Sequence, residues 1–279
     1  MSLIPQLYRG LCDDAALFPP GNAPLSQALT NHFRYRAGDF ADLIGNFICP
    51  AARLDDLRPL LSQATAKLEV SLTFPDGLSG LTQALAGAAN IDTALVRGIE
   101  IALPAVAKPR TFFADLAATG VAATVDVYVE VPRDDRQQAV LDGIAQAGLR
   151  AKFRTGGVRA DLYPNEHELA GFLLRARERD VAFKATAGLH HAVRNTDPAT
   201  GFEQHGYLNL MLAAAAPADE METLLALRDP LTITQRIGDL DPSVRSRFIS
   251  FGTCSINEPL TELIDLGLLP ASVTQGTRT

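Results

Sequence analysis

Short apolar runs recur along the chain, and most of them are rich in valine, isoleucine and phenylalanine. Several of these runs end at a proline or a glycine, residues that stop a strand and begin a loop. The pattern predicts eight β-strands, the first of them a shorter one at residues 15–18. The others cover residues 43–49, 68–74, 97–103, 125–131, 149–155, 181–187 and 247–253.

The stretches between these runs have the apolar period of helices. Residues 134–148 place apolar side chains along one helical face and end at Gly148. Residues 165–180 begin with Asn165 as a helix cap and carry Glu168 three residues later, the arrangement of a capping box. Alternating strands and helices predict a parallel sheet, and eight strands in 279 residues favour a closed (β/α)8 TIM barrel over an open, doubly wound sheet.

The connection before the last strand is longer than one helix requires. We predict that residues 194–245 form an insertion between the seventh and eighth strands, with a helix near residues 205–216. This insertion accounts for the length beyond the ~250 residues typical of the fold. Residues 1–279 are therefore expected to form a single barrel domain.

The composition is that of a globular protein, with 47% hydrophobic and 20% charged residues. The net charge of −7 argues against nucleic acids and anionic membranes as partners, because both bind basic surfaces. Three distant cysteines without a CxxC spacing suit a reducing compartment, and neither a signal peptide nor a membrane-spanning apolar stretch is evident. We expect a cytoplasmic protein with a small-molecule substrate; a homo-oligomer remains open.

Polar side chains interrupt strands that should be almost uniformly apolar if both of their faces are buried. In residues 125–131, valines occupy one face, and Asp126, Tyr128 and Glu130 occupy the other. The apolar face must pack on the outer helices, so the polar face points into the barrel. The same argument directs a further set of polar residues inward near the C-terminal ends of strands, where sites of this fold lie: Glu100, Lys152, Arg154, Lys184 and Thr186.

These enclosed charges permit two interpretations. In the first, they form a purely structural salt-bridge network of Glu100 and Glu130 with Lys152, Arg154 and Lys184. Such a network is costly, because apolar residues can usually replace desolvated charges without loss of stability. In the second, which we favour, the charges line a functional pocket, where perturbed charges concentrate in enzymes.

Six short motifs at successive predicted strand ends follow the order and approximate spacing of a known enzyme family. They are FICP, SLTFPDG, IEIALP, KFRTGG, FKATAGLH and RFISFGTCS. In these motifs the chain resembles the deoxyribose-phosphate aldolase family of class I aldolases, from about residue 11 to residue 268 apart from the insertion. The resemblance implies a TIM barrel that cleaves a carbon–carbon bond. It places Lys152 on the Schiff-base lysine, Lys184 on the second lysine that perturbs it, and Glu100 on a proton-transferring aspartate.

A nucleophilic lysine must be neutral, and this sets an electrostatic requirement. At the ordinary pKa of ~10.4, only about one lysine in 2,500 is neutral at pH 7. An unfavourable interaction of ~4 kcal/mol with the ammonium form is needed to lower the pKa to near neutrality. A like charge at ~4 Å supplies about that much at an effective dielectric constant of ~20. We therefore expect Lys184 and Arg154 to lower the pKa of Lys152. Glu100 opposes this effect unless it lies nearer Lys184 than Lys152.

Several positions depart from the family pattern and weaken its phosphate site. The departures are Arg154 in place of a small hydroxyl residue, Ala187 in place of the first of two glycines, and His190 in place of an arginine. A guanidinium at position 154 would instead suit a carboxylate, and the barrel mouth should concentrate Lys and Arg. A helix that begins near Asn257 would also offer N–H groups to an anion. The predicted anion-binding residues are Arg154, Thr186, Gly188, His190, Gly252 and Ser255.

Two other functions stay open on sequence grounds. One is a TIM-barrel enzyme without a Schiff base, which would use a metal ion or acid–base chemistry through His190, His191, His205, Asp13 and Asp14. The other is a non-catalytic barrel that binds a small anion. We assign no metal and no cofactor, because two adjacent histidines cannot easily aim at one ion. We expect the two aspartates to cap or to pair with a barrel lysine rather than to bind Mg²⁺.

Overall fold

The computed structural model describes residues 2–62 and 64–274. Eight strands, each parallel to both neighbours, close into a barrel in the sequential order of the chain, so the fold is a (β/α)8 TIM barrel, as predicted. The barrel strands are β1 (Cys12–Asp14), β2 (Ile44–Pro50), β3 (Leu68–Phe74), β4 (Ala94–Ala102), β5 (Asp126–Glu130), β6 (Arg150–Arg154), β7 (Phe183–Thr186) and β10 (Phe248–Thr253).

Seven of the predicted strands are confirmed, and the first is wrong. The strand is Cys12–Asp14, and the predicted residues 15–18 form a turn in which the Phe18 N–H donates to the Ala15 carbonyl at 2.9 Å. The pairing explains the difference, because Asp13 lies opposite Gly252 of β10 and Asp14 lies opposite Phe47 of β2. The segment that closes the barrel is therefore the one that contains both aspartates.

Helices cover the outside of the barrel. They are α1 (Leu25–Ala37), α2 (Leu54–Leu61), α3 (Leu81–Ala89), α4 (Pro109–Ala118), α5 (Gln137–Gln146), α6 (Glu166–Glu178), α7 (Tyr207–Ala215), α8 (Met221–Ala226), α9 (Pro230–Gly238) and α10 (Asn257–Asp265). The capping box of α6 is confirmed, because the Asn165 side chain accepts from the Glu168 N–H while the Glu168 carboxylate accepts from the Asn165 N–H, both at 2.9 Å. Helix α5 begins later than predicted, because the Asp134 carboxylate binds the Arg136 N–H and holds a turn there.

The long connection between β7 and β10 holds a small antiparallel sheet and three helices. Strands β8 (Asn195–Thr196) and β9 (Glu203–Gln204) pair with each other and not with the barrel. Helix α7 corresponds to the helix predicted near residues 205–216, and every residue from Tyr207 to Ala214 is buried. Its Tyr207 ring stacks on Phe251 of β10, with the ring centroids 4.7 Å apart. The connection therefore contributes an outer-layer helix to the barrel wall.

The main apolar core lies between the strands and the surrounding helices. Val127 and Val129 are buried there, as the alternation along β5 predicts. Phe153 of β6 stacks on Phe172 of α6, with ring centroids 3.9 Å apart. Because this layer takes the apolar faces of the strands, their polar faces turn toward the barrel axis. Within residues 2–62 and 64–274, no helix has the length and apolar character needed to cross a membrane.

Candidate active site

The buried lysine of β7 is the centre of an ion-pair system inside the barrel. Lys184 Nζ lies 2.5 Å from Asp13 Oδ2 and 2.6 Å from Glu100 Oε1. The side chains of Lys184 and Glu100 are each only 2% exposed. The ammonium also lies 5.3 Å from the centroid of the Tyr128 ring, whose π face attracts a cation. A lysine in this position is held by two charges and an aromatic face, so moving it toward a ligand would break both ion pairs.

The system continues through Glu100 to the second lysine. Glu100 Oε2 lies 3.1 Å from Lys152 Nζ, and Glu130 Oε2 lies at the same distance on the other side of that ammonium. We call this alternating row the charge chain; its members are Asp13, Lys184, Glu100, Lys152 and Glu130. The first interpretation of the sequence thus describes the pairing correctly, and the structure adds Asp13 to it.

Exposure rises along the charge chain toward the mouth of the barrel. The side chain of Lys184 is 2% exposed, that of Lys152 is 12% exposed and that of Glu130 is 24% exposed. Arg154 is 45% exposed and lies just beyond the chain, with Nη1 at 3.9 Å from Glu130 Oε1. A small molecule that enters from the mouth therefore meets Arg154, Glu130 and Lys152 before it reaches Lys184.

The buried carboxylate of Asp13 is fixed by neighbouring strands. Its Oδ2 accepts from Ser250 Oγ at 2.6 Å, and its Oδ1 accepts from the Asn46 N–H at 2.8 Å. A Cβ at Gly45 would collide with Asp13 Oδ1, so glycine leaves room for the carboxylate. Sequence reasoning missed Ser250, although a serine between Ile249 and Phe251 interrupts an apolar strand and is the kind of signal that marks an inward polar position.

The ion pairs set the protonation states of the charge chain. Burial would raise the pKa of Glu100, but the ammonium groups of Lys184 and Lys152 outweigh it and lower the pKa from 4.5 to about 2. Burial would lower the pKa of Lys152, but Glu100 and then Glu130 outweigh it and raise the pKa above its ordinary value. The pKa of Lys184 is raised in the same way, against burial, by Asp13 and Glu100. Both lysines are therefore protonated in the resting site.

This outcome differs from the expected lowering of the pKa of Lys152. Glu100 does lie nearer Lys184, at 2.6 Å against 3.1 Å, but it still contacts both ammonium groups. Glu130 adds a second carboxylate to Lys152. The mouth does not concentrate positive charge as expected, because three carboxylates match the three cations of the site. Lys152 must lose a proton before it can act as a nucleophile.

Asp14 points away from Asp13 and belongs to a different pair. Its Oδ2 lies 3.0 Å from His32 Nδ1, and both side chains are buried. His32 comes from α1 and packs edge-on against Phe47. The expectation that the two aspartates cap or pair with a barrel lysine is met by pairing for Asp13 and by capping for Asp14, whose Oδ1 accepts from the Ala16 N–H at 3.2 Å. The two differ because neighbouring residues of a strand face opposite ways. Sequence reasoning did not single out His32.

The predicted anion-binding residues lie at the C-terminal ends of β6, β7 and β10 or on the loops that follow β7 and β10. Arg154 and Thr186 are register partners on neighbouring strands, and Gly252 is the register partner of Thr186 on the far side. Gly188 has φ +72°, and a Cβ there would lie 2.8 Å from Gly156 Cα, so the two loops touch through their backbones. Ala187 has φ +63°, the left-handed region that favours glycine.

The remaining two predicted anion-binding residues, His190 and Ser255, lie on the loops after β7 and β10. His190 Nδ1 is 3.8 Å from the sulfur of Cys254, and burial, with His191 adding to it, lowers the pKa of His190. The Ser255 N–H donates to Thr253 Oγ1 within its own turn. These residues border the mouth without contacting the charge chain.

The histidines of the last third of the chain do not converge. His191 Nδ1 lies 2.6 Å from Glu262 Oε1, whereas His205 Nε2 lies 2.8 Å from the Pro164 carbonyl. Among the described residues, the side chain of His190 has its hydrogen-bond contact with Cys254. In the part of the chain that the structure describes, no three His, Cys, Asp or Glu side chains are placed to hold a metal ion together.

A cavity of about 360 Å³ lies elsewhere, between residues 191–195 and α10. Four of its five ionisable lining residues are paired, since His191 binds Glu262 and both Arg194 and Arg228 bind Glu203. None of the charge chain lines it. We place the candidate active site at the charge chain, where ionisable groups face an open mouth.

Known proteins offer a likeness of fold. No protein-family model matches the chain, and no curated protein matches it. Among solved structures, QR15, an aldolase, superposes with a TM-score of 0.53 at 14% identity, over 94% of this chain and 97% of that chain. Pyruvate carboxylase from Rhizobium etli, in its T882A form, superposes with a TM-score of 0.44 at 11% identity, over 86% of this chain and 27% of that chain. The chain thus shares the barrel fold of a solved aldolase.

Proposed function

We propose that the protein is an aldolase-like lyase that acts on a small carbonyl compound through a Schiff base on Lys152. The observation that carries this proposal is the position of Lys152: a partly exposed lysine between two carboxylates, at the C-terminal ends of the barrel strands. The strand-end motifs and the likeness of the fold to an aldolase agree with it. Lys184 is a positioning residue, since its burial keeps it from the substrate and its charge keeps Glu100 ionised.

The chemistry begins with a proton transfer. Lys152 passes a proton to Glu130, and the neutral amine adds to the carbonyl carbon. The carbonyl oxygen leaves as water after taking up protons, and a protonated imine remains. Breaking the adjacent carbon–carbon bond sends its electron pair into the imine to give an enamine, while a carboxylate takes the proton of the departing hydroxyl. Protonation of the enamine and hydrolysis then release the second product and free the amine.

Borohydride trapping tests the proposal directly. The chain has four lysines, and the two outside the barrel, Lys67 and Lys108, are exposed. A panel of aldehydes, ketones and oxo acids is incubated with the protein and reduced, and the modified peptide is found by mass spectrometry. We expect an adduct on Lys152 that Lys152→Arg abolishes and that Lys67→Arg and Lys108→Arg leave in place. An adduct distributed over the exposed lysines, or none across the panel, would contradict the proposal.

A second function is favoured by the charge state of the site. Because the pKa of Lys152 is raised, its ammonium group is suited to polarise a carbonyl oxygen while a carboxylate removes an adjacent proton. This would be acid–base chemistry without a covalent intermediate. It predicts exchange of α-protons for deuterium, followed by NMR, with no borohydride inactivation. Lys152→Arg would retain part of that exchange, whereas it would abolish a Schiff-base reaction.

A further inference from the structure

The guanidinium of Arg154 is fixed at the mouth but keeps free donors. Its Nε donates to the Gly156 carbonyl at 3.1 Å, which sets the plane of the group. Its Nη1 is 3.9 Å from Glu130, beyond a direct hydrogen bond. Among the described residues none accepts a hydrogen bond from Nη2. A planar, oriented and half-exposed guanidinium with open donors is the group that proteins use to bind carboxylates in bidentate fashion.

Arg154 lies two residues closer to the mouth than Lys152 on the same strand face, beside the hydroxyl of Thr186. Lys152 lies opposite Lys184 across β6 and β7, and Arg154 lies opposite Thr186 two residues further toward the mouth. The Thr186 hydroxyl has no hydrogen-bond partner among the residues that the structure describes. Its neighbour on β10 is Gly252, where a Cβ would come within 3.3 Å of Thr186 Oγ1. The missing side chain leaves that hydroxyl open to the mouth.

The carboxylate of Glu130 lies between the two cations of the mouth, Lys152 and Arg154. One of its oxygens lies 3.1 Å from Lys152 Nζ, and the other lies 3.9 Å from Arg154 Nη1. A single carboxylate therefore spans from the amine to the guanidinium. A ligand that places a carbonyl carbon at the amine and a carboxylate at the guanidinium can hold these two groups on adjacent carbons, because one carboxylate already reaches both cations.

We infer that the substrate of the proposed reaction is a short 2-oxo acid, with its carboxylate on Arg154 and Thr186 and its carbonyl carbon at Lys152. The inference rests on the proposed function and names its substrate class. A carboxylate matches the planar guanidinium of Arg154, whose Nη1 lies 3.9 Å from its nearest carboxylate and whose Nη2 has no acceptor among the described residues. The bound carboxylate replaces the weak Arg154–Glu130 contact and frees Glu130 to take the proton of Lys152.

The substrate class fixes the bond that breaks. In a 4-hydroxy-2-oxo acid, the imine forms at C2 and the bond between C3 and C4 is cleaved. Its electron pair enters the imine to give the enamine of a shorter 2-oxo acid, the C4 hydroxyl gives its proton to Glu130, and C4 leaves as an aldehyde. The enamine takes a proton at C3, and hydrolysis releases the 2-oxo acid. No oxidant, reductant or metal ion is needed for this balance.

The test compares three probes in borohydride trapping: pyruvate, acetaldehyde and dihydroxyacetone phosphate. The half-saturating concentration of each probe for the Lys152 adduct is measured in the native protein, in Arg154→Met and in Arg154→Lys. Arg159→Met is the matched control, because Arg159 is 69% exposed and pairs only with Asp161 among the described residues. We expect the native protein to prefer pyruvate. Arg154→Met should reduce the preference for pyruvate over acetaldehyde about 10- to 100-fold, as expected for the loss of a charged hydrogen-bonded pair.

The conservative and control variants keep the inference testable. Arg154→Lys should restore part of the preference, and Arg159→Met should leave it unchanged. If Arg154→Met weakens trapping of pyruvate and acetaldehyde equally, or if the native protein prefers dihydroxyacetone phosphate, the 2-oxo acid is wrong while the Schiff base stands. If no probe forms an adduct on Lys152, both the inference and the proposed function fail. Circular dichroism of each variant checks that it is folded.

Discussion

Lys184 shows what a buried charge does for this barrel. It faces two carboxylates, Asp13 and Glu100, within hydrogen-bond distance, and all three side chains are buried. Replacing it with methionine would leave two buried carboxylates without a counter-charge. We expect Lys184→Met to lower the free energy of unfolding by about 3–5 kcal/mol, the usual cost of breaking a buried pair from one side. Urea denaturation measures it.

The control for this substitution is Lys67→Met. Lys67 is exposed, and a surface substitution of this kind changes stability by less than about 0.5 kcal/mol. Adding Asp13→Asn to Lys184→Met should recover part of the loss, since it removes one of the unpaired charges. A loss below about 1 kcal/mol in the single variant would show that water reaches the carboxylates.

Ala187 carries a backbone conformation that its side chain disfavours. With φ +63°, it pays roughly 1–2 kcal/mol that glycine would not. Glycine also destabilises the folded state by about 0.5–1 kcal/mol, because the unfolded chain has more conformational freedom with glycine than with alanine. Ala187→Gly is therefore expected to stabilise the protein by about 0.5–1 kcal/mol in urea denaturation. A destabilised Ala187→Gly variant would contradict this account of the strain.

The neighbouring glycine gives the opposite comparison. Gly188 also has a positive φ, but a Cβ there would approach the Thr155 carbonyl to 2.9 Å. Gly188→Ala should therefore destabilise the protein, through both backbone strain and collision. The two substitutions exchange the same two residue types in opposite directions, so their opposite signs separate backbone strain from a general effect of flexibility in this loop.

Residue-level prediction gave the inward direction of the charged residues and a correct version of their pairing, and it failed for the direction of the pKa shift of Lys152. The inward direction of Lys152 and Lys184 follows from the alternation of apolar and polar positions along one strand. The partners of these lysines do not, because Asp13, Glu100 and Glu130 come from three other strands and meet the lysines only through the register of the closed barrel. The rise in the pKa of Lys152, opposite to the expected direction, follows from that pairing.

Helices and strands were predictable where local sequence determines them and were not predictable where contacts with distant strands determine them. The start of α6 was predictable because both halves of its capping box are within four residues of each other. Strand β1 was not, since nothing in the Cys12–Asp14 segment is typical of a strand and only pairing with β2 and β10 makes it one. Two acidic residues enter the barrel wall there, because one reaches Lys184 and the other reaches His32.

The capping box supplies a prediction at this scale. Asn165→Ala removes the side chain that accepts from the Glu168 N–H, whereas the backbone N–H of residue 165 can still donate to the Glu168 carboxylate. We expect a loss of about 1 kcal/mol in the free energy of unfolding. Glu178→Ala, at the exposed far end of the same helix, is the control and should change stability by less than about 0.5 kcal/mol. Equal effects of the two would indicate that the cap is redundant.

For the whole molecule, net charge proved to be a poor guide to the interior. The value of −7 describes the surface, and the charge chain inside the barrel is close to balanced when Arg154 is counted with it. Barrel closure was predictable from the number of strands, because seven of the eight carry their own signal. The balance was not predictable, because it depends on which polar side chains share one enclosed volume.

The enclosed charges make global stability depend on pH, and Glu100 fixes the sign. Its pKa is about 2 in the folded protein and 4.5 ordinarily, so the folded state binds fewer protons than the unfolded state between these values. The stabilisation is complete above pH 4.5 and is lost as the pH falls toward 2; about 2 kcal/mol of it is gone by pH 3.

The measurement is urea denaturation of the native protein and of Glu100→Gln at pH 7, 5, 4 and 3. The native protein should be the more stable at pH 7, and the gap between the two should shrink by about 2 kcal/mol by pH 3. Asp219→Asn, an exposed substitution, should show no such change. A gap of constant size across the series would mean that Glu100 is not held ionised by its two lysines.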